Sequence, residues 1–176
     1  MEKPFLSGNL KLDEASLKRI FIYNLNQVYP VLLHLADSLP ILAKSIFYGD
    51  LHNAAEELLS EVKVQLDRVD AIFVHLKEVP KNSNTPNDKI QFLTFDNEDE
   101  LLDGLSKDLA LVFYLQKIIA VKKNYFHILK SIGNSLNDIN IKQYLQYSCD
   151  ECEENQMIFR LIAKEYMEST INKFLQ

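Results

Sequence analysis

Turn-forming residues are scarce in this sequence, which contains 4 glycines and 5 prolines among 176 residues, and tryptophan is absent. Folds made of many short strands need more turns than this composition supplies, so an all-β fold is disfavoured. The hydrophobic content of 47% is sufficient for a substantial core. The composition therefore predicts a single, mainly helical domain over residues 1–176.

The sequence also lacks the features of exported and membrane-inserted proteins. Its 2 cysteines, Cys149 and Cys152, are too close together to join distant parts of a secreted fold. The N-terminal segment MEKPFLSGNLKLDEAS contains no apolar stretch of the kind found in signal peptides. No later stretch approaches the roughly 18 uncharged residues that a membrane span requires. We therefore expect a cytoplasmic protein that does not insert into a membrane.

Positive charge is in deficit, since the formal net charge is −6 and the isoelectric point is near 5.2. Such a field repels phosphate backbones, so nucleic acid is not expected as a partner. The sequence contains no GxSxG elbow, no P-loop and no dinucleotide-binding glycine pattern. An ordinary hydrolase or nucleotide-dependent enzyme is therefore disfavoured.

Apolar residues recur at intervals of three and four along four segments, which predicts helices at approximately 16–47, 50–78, 98–132 and 137–173. Ser16 is the expected N-cap of the first helix, which we expect to kink or break briefly at Pro30 or Pro40. Gly133 is the expected C-cap of the third helix, and IQFLTF before that helix is expected to be a short strand-like or packed segment. The expected buried stripe of the third helix comprises Leu105, Leu109, Val112, Ile119, Phe126 and Leu129. Together the segments predict an all-α, antiparallel four-helix bundle, whose longer middle link allows a crossover.

Two runs in the first half of the chain resemble helices of the ferritin-like YciE/YciF family of small bacterial stress proteins. They are LKRIFIYNLNQVYPVLLHLADSLPILAKSI and DLHNAAEELLSEVKVQLDRVDAIF. The second half is similar to that family more weakly, through QKI, NYFHIL and the acidic CDECEEN. The resemblance rests mainly on Phe21, Leu25, Tyr29, Leu39, Pro40, Arg68 and Phe73.

The resemblance implies a pair of metal ions held at the middle of the bundle by carboxylates and histidines. Glu61 keeps a ligand position, but Leu32 stands where the family places a glutamate and Gln65 stands where a histidine is usual. Ile119 and Lys122 replace two inward glutamates of the third helix. Hard cations demand several anionic oxygens, so we expect no metal and no cofactor. The central positions of this degenerate site are Leu32, Ile119, Lys122 and Cys152.

Two of the central residues have more than one interpretation. Lys122 either points into the space of the missing metal and pairs with Glu61 or Glu154, or extends along its stem to solvent, and we favour the second. Cys149 and Cys152 have the CxxC spacing of redox and zinc sites. The strand before the motif and the second ligand pair that such sites need are not evident, so a buried core cysteine is favoured over a reactive thiol.

Three functional hypotheses follow. The first is a non-catalytic ferritin-like bundle that associates with itself or with a partner, with a homodimer expected in solution. The second is a metal-dependent, di-iron type oxidoreductase or iron-binding protein whose non-standard site uses Glu57, Glu61, Gln65, Glu151 and Glu154. The third is a small-molecule binder with a pocket lined by Asn24, Gln65 and Cys152. We favour the first and expect no catalytic residues.

Overall fold

A computed structural model describes residues 12–81, 104–136 and 138–174, with side chains described as far as residue 168. The described residues form four helices and no strand. The predicted all-α bundle is thereby confirmed. The segment IQFLTF and the predicted start of the third helix at residue 98 lie outside the described residues. The helices are α1 (Glu14–Ala43), α2 (Gly49–Leu76), α3 (Gly104–Gly133) and α4 (Ile139–Phe174).

The start of α1 differs from the prediction in its capping residue. Asp13, not Ser16, is the N-cap, and its Oδ1 accepts a hydrogen bond from the Ser16 backbone N–H at 2.6 Å. A carboxylate at this position also complements the positive end of the helix dipole. The helix then continues through Pro30 and Pro40 without the break that we expected as one possibility.

The end of α1 comes earlier than the predicted residue 47, and from Phe47 onward the backbone N–H groups find acceptors on another helix. The N–H groups of Phe47 and Tyr48 donate to the carboxylate of Asp108 on α3, at 3.1 and 2.8 Å. A helix reaching residue 47 would direct these donors to carbonyls of its own preceding turn. A contact with another helix therefore sets this boundary.

The second helix is one or two residues displaced from the predicted 50–78, since it begins at Gly49 and ends at Leu76. Its C-cap, Lys77, adopts a left-handed conformation with φ of 57°. The N–H of the next residue, Glu78, donates to the carbonyl of Phe73 at 2.9 Å, as in a Schellman motif. This turn satisfies a terminal carbonyl and stops the helix.

Gly133, the expected C-cap, is the last residue of α3, and its φ is not positive. A Cβ at Gly133 would lie 2.9 Å from Leu145 Cδ1 on α4. A larger residue at this position would force the side chain of Leu145 to shift, so glycine favours the close approach of α3 and α4. The fourth helix starts at Ile139, where we predicted 137, and Asp138 Oδ1 caps it by accepting the Ile141 N–H at 3.0 Å.

Neighbouring helices in the bundle run antiparallel. Helix α1 packs against α2 and α3, and α4 packs against the same two helices. Tyr29, at the middle of α1, packs edge-to-face against Phe73, late in α2, and the backbone just after α2 reaches Asn26, in the first half of α1. Tyr166, late in α4, donates to Asp108, early in α3, at 2.9 Å. Helices α2 and α3 consequently lie diagonally opposite each other across the core.

The connection between α2 and α3 joins opposite ends of the bundle. This is the crossover that the longer middle link allows. After α2 the Lys81 N–H donates at 2.7 Å to Asn26 Oδ1, in the first half of α1. At the other end of α1, a Cβ on Gly104 would lie 3.4 Å from the side chain of Phe47. Within the described residues, no helix is long and apolar enough to cross a membrane.

Candidate functional site

A lysine lies in the core of the bundle. Lys122 is on the inward side of α3 and has 0% of its surface exposed. Its Nζ makes no hydrogen bond to any residue that the structure describes. The favoured expectation that Lys122 extends to solvent is therefore wrong. The reason is its register: Lys122 is three residues after Ile119 and four before Phe126, and both of these are fully buried.

Glu61 on α2 provides the opposite charge. The pKa of Glu61 is raised, because partial burial outweighs the hydrogen bond from Asn155 and the positive charge of Lys122, which both lower it. Asn155, on α4 and itself 2% exposed, donates through Nδ2 to Glu61 Oε2 and to the carbonyl of Glu151. Glu154, the other partner considered for the lysine, is exposed. The carboxylate that compensates Lys122 is thus that of Glu61.

Glu151 on α4 is held by two donors from α2. Arg68 Nη1 lies 2.7 Å from the Glu151 carboxylate, and Gln65 Nε2 donates to the same group at 2.8 Å. Gln65 is fully buried, and its Oε1 has no hydrogen-bond partner among the described residues. The guanidinium also stacks over the ring of Tyr147, 5.6 Å from its centroid. Glu151 therefore serves as an ion-pair partner between α2 and α4.

The remaining central positions offer no atom that could bind a metal ion in its present protonation state. Leu32 and Ile119 are fully buried and present only methyl groups. Cys152 is also fully buried, and burial raises the pKa of the Cys149 and Cys152 thiols to about 11. The thiolate is the form that binds metals and attacks electrophiles, and both thiols are protonated at neutral pH.

Three of the five alternative ligands come together in the structure. Glu61, Gln65 and Glu151 lie at the contact of α2 and α4, whereas Glu57 and Glu154 are exposed. No group of three or more His, Cys, Asp or Glu side chains suited to a metal ion occurs in the part of the chain that the structure describes. The two carboxylates that are brought together already accept hydrogen bonds from amide and guanidinium groups.

The residues at the centre do not fit the pair of metal ions that the resemblance implies. A dinuclear site needs several carboxylates to balance the ionic charge. The described centre supplies Glu61 and Glu151 and places two cations, Lys122 and Arg68, with them. Two like unit charges 4 Å apart repel by about 4 kcal/mol at an effective dielectric constant of about 20, and a divalent ion doubles the effect. The ammonium and a metal ion are therefore competing occupants.

Two of the three polar residues proposed for a small-molecule pocket, Asn24 and Gln65, donate hydrogen bonds within the fold. Asn24 Nδ2 donates to the carbonyl of Ile20 in its own helix at 2.8 Å. Gln65 donates to Glu151, and the Cys152 thiol is protonated and fully buried. Among the three side chains, Gln65 has a buried atom, Oε1, that lacks a hydrogen-bond partner within the described residues.

A second polar centre, at one end of the bundle, was not predicted. Asp108 on α3 is 1% exposed and accepts hydrogen bonds from Phe47 N–H, Tyr48 N–H and the Tyr166 hydroxyl. Burial, followed by this hydrogen bond to Asp108, raises the pKa of Tyr166. The spacing could have revealed Asp108, because it lies four residues before Val112 on the same stripe. Leu105 was named inward but is exposed, so the predicted phase was wrong at the start of α3.

Comparisons with known proteins support the same fold. No protein-family model and no curated protein match this chain. The stress protein YciF of E. coli superposes with a TM-score of 0.76 at 18% identity, covering 86% of this chain and 97% of YciF. YcfI of Rhodopseudomonas palustris gives 0.72 at 18% identity, covering 88% of this chain and 96% of YcfI. The fold implied by the YciE/YciF resemblance is thereby confirmed.

Proposed function

We propose that this chain is a non-catalytic ferritin-like bundle in which the Lys122 ammonium supplies the positive charge that a metal ion would bring to such a centre. It acts by associating with itself or with another protein, in a stress-related role. The observation that carries the proposal is the complete burial of Lys122 opposite Glu61. The stress-related part rests on the likeness to the E. coli stress protein YciF.

The charge arrangement supports this proposal over metal chemistry. Moving an ammonium out of water costs several kcal/mol even after relaxation, so it persists in a core only where anions compensate it. A site that also took iron would have to expel or neutralise the lysine first. The chain accordingly needs no cofactor. The absence of a nucleic-acid partner, which the net charge of −6 favours, belongs to the same proposal, as does a cytoplasmic location.

The alternative is a metal-dependent oxidoreductase or iron-binding protein. Its support is the meeting of Glu61, Gln65 and Glu151 between α2 and α4. Against it, Arg68 already forms an ion pair with Glu151, and Glu57 and Glu154 are exposed. An arginine pair with a carboxylate is geometrically matched and not easily displaced. We therefore favour the non-catalytic function.

Metal analysis distinguishes the two functions. The chain is expressed in iron-supplemented medium, purified without chelator and analysed for iron, manganese and zinc. We expect far less than one equivalent of any metal and no change in melting temperature with ferrous iron. Binding to the folded state alone would raise stability by about 2.7 kcal/mol at a hundredfold excess over the dissociation constant. Close to two equivalents of iron, or such a rise in stability, would overturn the proposal.

Self-association has a separate test. We expect a homodimer in solution, because the described helices leave many large apolar side chains exposed. Light scattering coupled to size exclusion measures the mass over a range of micromolar concentrations. A monomer at every concentration would remove self-association and leave association with another protein as the remaining form of the proposal.

A further inference from the structure

Three buried side-chain atoms lack a hydrogen-bond partner within the part of the chain that the structure describes. They are Lys122 Nζ on α3, Gln65 Oε1 on α2 and Ser38 Oγ towards the end of α1. The side chains of Lys122 and Gln65 are fully buried. Buried polar groups are nearly always paired with protein atoms or with ordered water, so the ammonium and the amide oxygen each require a partner.

Lys122 and Gln65 belong to the same polar centre between α2, α3 and α4. Burial raises the pKa of Glu61 and of Cys152, and the charge of Lys122 offsets part of each rise, so the ammonium lies close to both residues. Gln65 is four residues after Glu61 and therefore on the same face of α2. Its Nε2 donates to Glu151, the residue before Cys152 on α4. The ammonium and the Gln65 amide are consequently near neighbours.

The orientation of the Gln65 amide is fixed by the residue that it binds. An ionised carboxylate only accepts hydrogen bonds, and the ion pair with Arg68 keeps Glu151 ionised. The amide nitrogen of Gln65 must therefore face Glu151, and it does so at 2.8 Å. Reversing the amide would turn its oxygen towards the carboxylate. The Oε1 atom of Gln65 thus points elsewhere and needs a separate donor.

The charges at the centre decide which kind of molecule can supply the missing hydrogen bonds. The ammonium of Lys122 would repel a cation, and the carboxylates of Glu61 and Glu151 would repel an anion. Lys122 and Arg68 already balance these two carboxylates. The occupant is therefore neutral. It must also accept a hydrogen bond from an ammonium and donate one to an amide oxygen.

We propose that the centre of the bundle is a binding site for ordered water, which accepts a hydrogen bond from Lys122 Nζ and donates one to Gln65 Oε1, directly or through a second water. Water has two hydrogens and two lone pairs, and buried waters usually make about three hydrogen bonds to such groups. Leu32, Ile119 and Cys152 are fully buried at the same centre, so a larger polar molecule would have to part the helices to enter. The inference rests on the buried Lys122 of the proposed function.

A high-resolution crystal structure of the unaltered chain tests the site directly. We expect density for a water about 2.7–3.2 Å from Lys122 Nζ, bonded to Gln65 Oε1 or to a second water that reaches this atom. Crystals of Lys122→Met should lack this water. Lys123→Met is the matched control, because Lys123 lies next in sequence but donates to Gln156 at 2.9 Å, and its crystals should keep the water.

A double-mutant cycle tests the same site in solution. If Lys122 and Gln65 share a water, Lys122→Met and Gln65→Met are coupled, because either substitution alone already disrupts the site. We expect the unfolding equilibrium constants to show a coupling of at least about threefold. The cycle of Lys123→Met with Gln65→Met should be additive. Circular dichroism verifies that each variant is folded, and if Lys122→Met does not fold, the crystal structure of the unaltered chain decides.

The results separate the water site from the proposed function. Water bonded to Lys122 Nζ in the unaltered chain, together with coupling to Gln65, supports the inference. A direct hydrogen bond from Nζ to Gln65 or Glu61 without water, or additive effects of the two substitutions, overturns the water site alone, because Lys122 still supplies the positive charge. A metal ion bound by Glu61 and Glu151 in place of the water overturns both.

Discussion

Lys122 and Glu61 interact across the core from diagonally opposite helices. Burial raises the pKa of Glu61, and the charge of Lys122 offsets part of that rise although its Nζ makes no hydrogen bond to a described residue. Lys122 is fully buried, whereas Glu61 is partly buried and accepts a hydrogen bond from Asn155. The lysine therefore depends on the glutamate more than the glutamate depends on the lysine. A double-mutant cycle can therefore measure the coupling energy of this pair.

We expect Glu61→Gln to destabilise the protein by about 3 kcal/mol, because it leaves a buried ammonium uncompensated. Lys122→Met should cost less, since Glu61 can take up a proton when its counter-ion is removed. The double variant should return to within about 1 kcal/mol of the unaltered chain, giving a coupling energy of about 0.5–3 kcal/mol. Urea unfolding followed by circular dichroism measures all four proteins. Additive effects of the two substitutions would show that the charges are not coupled.

The thiols of Cys149 and Cys152 should make stability sensitive to alkaline pH. Their pKa of about 11 in the folded protein lies above the ordinary thiol value of 9.0, so the folded state holds these protons more tightly. The stabilisation is fully present below pH 9 and is lost as the pH rises towards 11. Because tyrosines and lysines titrate in the same range, the measurement is the difference between the unaltered chain and Cys149→Ala/Cys152→Ala.

Thiol labelling provides the companion measurement at about pH 8, just below the ordinary thiol pKa. We expect neither cysteine to react with an aromatic disulfide reagent in the folded protein and both to react after unfolding in urea, because the reagent needs an accessible thiolate. Rapid labelling of the native protein would contradict the burial of these side chains. A double alanine variant with an unchanged stability profile between pH 9 and 11 would contradict the raised pKa.

Asp108 should be a major contributor to stability at its end of the bundle. Asp108→Asn replaces one acceptor oxygen by an NH2 group that faces the donors of Phe47 and Tyr48, so we expect a loss of about 2–3 kcal/mol. Tyr166→Phe removes one hydroxyl donor and should cost about 1 kcal/mol. Asp67→Asn, at an exposed carboxylate in the middle of α2, is the control, with an expected change within about 0.5 kcal/mol. Equal effects of the two aspartate substitutions would contradict this role.

The helices could be predicted from the sequence because their buried stripes repeat over many turns, as the inward position of Gln65 illustrates. Contacts between distant segments could not be predicted in this way. The boundary at Ala43 depends on Asp108, which is 60 positions from Tyr48 in the sequence. The burial of Lys122 depends on Glu61 and Asn155 on two other helices. Local spacing contains no information on which distant charge will compensate a lysine. The prediction for Lys122 therefore followed the ordinary behaviour of lysines, which extend to solvent, and was wrong.

The last prediction is that the lysine alone prevents a metal site from being rebuilt. Leu32→Glu, Gln65→His and Ile119→Glu restore three of the positions that the resemblance assigns to ligands, and we expect them to destabilise the metal-free protein by burying polar groups. With Lys122 kept, ferrous iron should restore little stability, because the ammonium still repels the ion. Adding Lys122→Glu removes that repulsion and supplies another carboxylate, so iron should then bind and raise the melting temperature. Equal recovery by iron with and without Lys122→Glu would show that the ammonium does not occupy the place of the metal charge, whereas recovery confined to the fourfold variant would identify Lys122 as the residue that replaces it.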